Sequence, residues 1–107
     1  MMLQMNVEET KKLLPSDVEK GITWTDAELT GTSLTYTYKL NENYYDLSVA
    51  KENEKSIKEA MIPEITADKP MVRALVNTKR TLCYKYVDKS KRSFTIKFEV
   101  HELKSLL

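Results

Sequence analysis

Two glycines, three prolines, one cysteine and one histidine among 107 residues leave several chemistries without material. A phosphate-cradling loop needs closely spaced glycines, and Gly21 and Gly31 stand apart from each other. Cys83 alone can form neither an internal disulfide nor a cysteine-built zinc site. Such usage fits a reducing compartment without excluding an oxidising one. With His101 as the single imidazole, a metal would rest on one histidine and surface acids, so neither metal nor cofactor is expected. No apolar run approaches the roughly 20 residues that span a bilayer, and no membrane span is expected. The opening MMLQMNVEETKKLL lacks the basic region and apolar stretch of a signal peptide. The chain therefore reads as cytoplasmic as it stands, and as a cell-envelope or secreted protein if an export segment has been removed.

What is present is an ordinary globular balance, 41% hydrophobic and 31% charged, in a length that suits one domain over residues 1–107 with one core. The net charge of +1 hides an asymmetry. Residues 1–53 hold five lysines against nine acids, net −4, and residues 54–107 hold twelve basic residues against seven acids, net +5. The plain expectation is complementarity between the halves, with steering of association as the alternative.

The clearest pattern is Thr81 to Val100. Leu82, Tyr84 and Tyr86 alternate with Cys83, Lys85 and Val87. After Asp88-Lys89-Ser90-Lys91-Arg92, the residues Phe94, Ile96, Phe98 and Val100 alternate with Thr95, Lys97 and Glu99. A period of two predicts a hairpin with one buried and one wet face. Pairing Tyr86 with Phe94, Tyr84 with Ile96 and Leu82 with Phe98 keeps the large side chains together.

Upstream, Met5 to Leu14 predicts a short helix with Asn6 as cap, stopped by Pro15, and Ser16 to Gly21 reads as a loop. Ile22 to Leu29 and Thr32 to Leu40 predict strands around a Thr30-Gly31 turn. Ile22 and Trp24 have one parity, Ala27 and Leu29 the other, so a β-bulge near Asp26 is needed to face all four inward. After a connection at Asn41 to Tyr45, Asp46 or Ser48 would cap a helix running to about Ile62 and ended by Pro63. Asp68 caps a short helix with Pro70 in its first turn and Met71, Val72, Leu75 and Val76 inward. His101 to Leu107 follows as a last strand residue and a helical turn.

SLTYTYKL at 33–40 echoes TLCYKYVD at 81–88. With the order α-β-β-α-α-β-β, this pseudo-repeat predicts a two-layer α+β domain. Its sheet is expected to be four-stranded and antiparallel, with helices on one face. On these residues the chain resembles small uncharacterised bacterial proteins, often exported or lipid-anchored. The resemblance runs through Leu14-Pro15, Ile22-x-Trp24, the Leu-x-Tyr-x-Tyr strands at Leu34–Tyr38 and Leu82–Tyr86, and Asp88. The lipid-attachment cysteine and the cysteine pair frequent in such proteins are missing here. The resemblance implies a fold and no activity.

No catalytic constellation emerges, and the chain is not expected to be an enzyme. In the predicted register Cys83 faces Lys97, and His101 lies four residues farther along, about 13 Å away at 3.3 Å per residue, too far for a nucleophile and its base. Asp26 and Glu28 read as solvated surface. Tyr36, Tyr38, Tyr84 and Tyr86 read first as core aromatics with wet hydroxyls, with a ligand groove between helices and sheet as the alternative. Nucleic acid is disfavoured because Lys85 and Lys97 lie on the opposite face from the rings. Lys85, Arg92 and Lys97 are the candidates for an acidic partner within the basic second hairpin. The expected function is a non-catalytic binding module that uses a polar sheet face or a strand edge, with weak homodimerisation through that edge.

Overall fold

The computed structural model describes residues 3–41 and 47–107. Helix α1 (Leu3–Lys12) precedes three strands, β1 (Ser16–Glu19), β2 (Ile22–Leu29) and β3 (Ser33–Leu40). Helices α2 (Leu47–Glu52), α3 (Glu54–Thr66) and α4 (Lys69–Asn77) lead to β4 (Thr81–Val87) and β5 (Ser93–Phe98), and α5 (Val100–Ser105) follows. The strands form one sheet in chain order, β1-β2-β3-β4-β5. All neighbours are antiparallel except β3 and β4, which run parallel.

This corrects the expected four-stranded antiparallel sheet. The fifth strand comes from Ser-Asp-Val-Glu, within the segment read as a loop. The connection permits the parallel pair: parallel neighbours need a crossover of a dozen residues or more, and the helical stretch between β3 and β4 supplies it. The pseudo-repeat is the register of that pair. Leu34 lies beside Leu82, Tyr36 beside Tyr84 and Tyr38 beside Tyr86.

Register across the strands sets three rows on one face. Trp24, Tyr38, Tyr86 and Phe94 form the first; Ala27, Tyr36, Tyr84 and Ile96 the second; Leu29, Leu34, Leu82 and Phe98 the third. The pairing shift between Trp24 and Asp26 is the bulge the parity of β2 requires, and it brings Trp24 and Ala27 onto the same face. Leu3, Val7, Leu47, Ile65, Met71, Val72, Leu75 and Leu103 close the core from the helices. The other face carries Asp26, Thr37, Lys85 and Thr95 in one row and Glu28, Thr35, Cys83 and Lys97 in the next. Acids lie toward β2 and lysines toward β4 and β5.

Several helix boundaries differ from expectation. Asn6 lies inside α1 and is not its cap. The central helix is broken at Asn53, whose side-chain amide donates to the Val49 carbonyl at 2.8 Å. Pro63 sits within α3, which runs on to Thr66. A proline there removes one N–H bond near the helix end, where the loss is tolerated. Asp46 and the connection at 42–45 lie outside the described residues.

Asp68 caps α4 as expected, its side chain accepting from the Met71 N–H at 3.3 Å. The helix ends with Lys79 at φ 56°. There the Arg80 N–H donates to the Leu75 carbonyl at 2.9 Å and the Lys79 N–H to Val76 at 3.1 Å, a Schellman closure. Val100 opens α5 instead of ending β5, because the Glu102 side chain reaches back to the Glu99 N–H at 3.1 Å. That turn buries Leu103 completely.

Candidate functional site

The four tyrosines come together on the helix-covered face. Tyr36 and Tyr84 occupy the middle row, with ring centroids 5.6 Å apart and planes tilted by 56°. Trp24, an expected inward-facing residue of β2 that was not among the groove candidates, extends the set: it meets Tyr36 edge-on at 5.1 Å and stacks on Tyr38 at 5.9 Å. Tyr38 stacks on Tyr86 at 5.4 Å, and Tyr86 on Phe94 at 6.2 Å. These separations are those of packed aromatic pairs. Tyr36 is buried, and its hydroxyl donates to the Met71 sulfur at 3.5 Å. Trp24, Tyr38, Tyr84 and Tyr86 are half-buried.

Burial dominates the electrostatics of this layer. It raises the Tyr36 phenol to about 12, with Asp68 adding to the shift. Tyr38 and Tyr84 are pushed higher still, first by burial and then by neighbouring phenols and Glu64. A phenol so placed stays protonated at neutral pH and can donate a hydrogen bond; it does not serve as a base. Grooves elsewhere among the described residues, around Arg73 and Arg80 and around Lys58 and Glu102, are lined by none of the four tyrosines.

The partner candidates divide. Lys85 and Lys97 share the open face, on β4 and β5, with Cys83 paired to Lys97 between them. Lys97 has only a loose ion pair, 3.9 Å to Glu99, with both side chains about half exposed. Arg92 belongs to the hairpin tip instead. Its backbone N–H and its Nε donate to the Asp88 carboxylate at 2.9 and 2.8 Å. Asp88, the first residue of the stretch between the two hairpin strands, is 4% exposed and is held by this clamp. Its signal in the sequence was the Asp-x-x-x-Arg spacing across a tight turn.

Cys83 is buried and His101 is exposed on α5. Among the described residues no three His, Cys, Asp or Glu side chains gather as a metal site. No helix among them is long and apolar enough to cross a membrane.

The same architecture occurs in the crystal structure of a "putative secreted protein" from Pseudomonas aeruginosa. The two superpose with a TM-score of 0.79 over 95% of this chain and 89% of that one, at 15% sequence identity. The likeness is one of fold alone. No protein-family model matches the chain, and no curated protein matches it in sequence.

Proposed function

We propose that the protein is a non-catalytic interaction module that receives an extended, acidic segment along the outer edge of β5, which α2 approaches but no described strand covers. The observation that supports this reading is an asymmetry between the two sheet edges. Strand β1 is four residues long and its pairing shifts between Asp17 and Glu19, so its edge is short and irregular. Strand β5 is six residues long, pairs with β4 without a shift, and among the described residues has no strand on its other side. Short or bulged edges resist pairing with another chain, whereas a regular one offers a row of N–H and C=O groups. Lys85 and Lys97 near this edge favour carboxylates in the incoming strand.

The test is an NMR titration with a short alternating Glu/Val peptide and with its Lys/Val counterpart. Amide shifts confined to Ser93–Phe98, weaker in Lys97→Glu and absent with the basic peptide, are expected. Shifts mapping elsewhere, or equal binding of both peptides, would refute it. The same edge can pair weakly with a second copy, which sedimentation over a concentration series would show as a rising mean mass.

A second reading rests on Trp24, Tyr38 and Tyr86. They are half-buried and stacked with planes within 24°, so they could offer a planar ligand a platform. Saturable quenching of Trp24 fluorescence by such a ligand, without shifts in β5, would favour it.

A further inference from the structure

A hollow of about 530 Å³ lies between α1, α4 and the end of β2, within the size range of small-molecule sites. Leu3, Leu29 and Ala74 line it with apolar surface. Arg73, Arg80, Gln4, Asn77 and Thr78 supply its polar lining, which holds two guanidinium groups and no acid. Among the described residues neither arginine is in an ion pair. Arg80 is held in place, because its Nε donates to the Thr30 carbonyl at 2.7 Å. Its terminal N–H groups remain available for a second acceptor. The adjoining hollow, which shares Gln4, Leu29 and Arg80, carries Glu8 and Glu28 against the single Lys11, so the part free of acids is the Arg73 side.

We infer that this hollow binds a small organic carboxylate with an apolar body, the carboxylate on Arg73 and Arg80 and the body on Leu3, Leu29 and Ala74. Guanidinium donors match carboxylate geometry and form strong charge-assisted hydrogen bonds. The apolar walls add affinity that a bare inorganic anion would not gain.

The probe is octanoate, titrated into isotopically labelled full-length protein, with octanol and inorganic phosphate as parallel arms. Saturable shifts at the amides of Gln4, Ala74, Asn77 and Arg80 are expected with octanoate, and binding at least about tenfold weaker in both other arms. Arg73→Ala, an exposed position that leaves the Arg80–Thr30 bond in place, should weaken octanoate about tenfold, as loss of one charged hydrogen-bonding partner does. Lys39→Ala, at an exposed position at the far end of β3, should leave it unchanged. Equal binding of octanol, equal binding of phosphate, undiminished binding by Arg73→Ala, or no saturable shift at these amides would each overturn the inference.

Discussion

Replacing Phe98 by alanine tests the assignment of the two sheet faces most severely. Phe98 is 2% exposed and pairs with Leu82 across β4 and β5. Its ring meets Tyr84 edge-on at 6.3 Å and lies 5.1 Å beneath the Lys58 ammonium. Removing a buried ring costs about 3–5 kcal/mol, from lost transfer energy and the cavity left behind. The upper half of that range is expected, since the edge-to-face contact alone adds about 0.5–1.5 kcal/mol beyond area. A domain of this size has about 5–15 kcal/mol in all, so Phe98→Leu serves as a graded partner at about 1–2 kcal/mol. The neighbouring Lys97→Ala should stay within about 0.5 kcal/mol, because its ion pair to Glu99 is long and exposed. Urea melts followed by both circular dichroism and Trp24 fluorescence would give the three values. If Lys97→Ala were as harmful as Phe98→Ala, or Phe98→Ala as mild as Lys97→Ala is expected to be, the facing of β5 would be wrong.

The raised phenols make a claim about alkaline pH. The folded state keeps the Tyr36 proton to about 12, and those of Tyr38 and Tyr84 beyond, whereas an unfolded tyrosine releases its proton near 10. Above pH 10 the unfolded chain therefore binds fewer protons, and stability falls as pH rises through 12. Absorbance at 295 nm should show a late tyrosine fraction that ionises together with loss of the circular-dichroism signal. Ionisation of every tyrosine near pH 10 with the fold intact would contradict this. At the end of α4, Lys79→Gly should stabilise by up to about 1 kcal/mol, the left-handed strain removed less the entropy of a freer unfolded chain. A lower melting temperature for the glycine variant would show that Lys79 makes a compensating contact.

The register of the second hairpin was legible because both its strands alternate and a turn joins them, although Val100 belongs to α5 and not to the strand. The β2 bulge was legible for a related reason: four apolar residues in two parities admit few arrangements on one buried face. The direction of β3 against β4 was not, since a period of two says which side chains share a face and nothing about which way a neighbour runs. Two matching Leu-x-Tyr-x-Tyr strands fit either orientation, and the long helical connection between them admits both. Strand β1 escaped because Ser-Asp-Val-Glu has neither length nor alternation. The tyrosine layer could be named from sequence, but Trp24 joins it only through the β2 register, and the hollow at Arg73 and Arg80 joins residues from three separate elements.

The parallel seam also governs how the chain finds its fold. Every registered pair between β3 and β4, from Ser33 with Thr81 to Lys39 with Val87, is separated by 48 positions. The β2–β3 and β4–β5 pairs are joined by short turns and form locally, hairpins on the scale of microseconds. Bringing the two pieces together must close a loop whose entropy costs roughly 3–4 kcal/mol before any contact across it is gained. The sheet is therefore continuous in space but built from two locally closed pieces, and the seam between two tyrosine strands of like sequence carries the entropic cost of joining them.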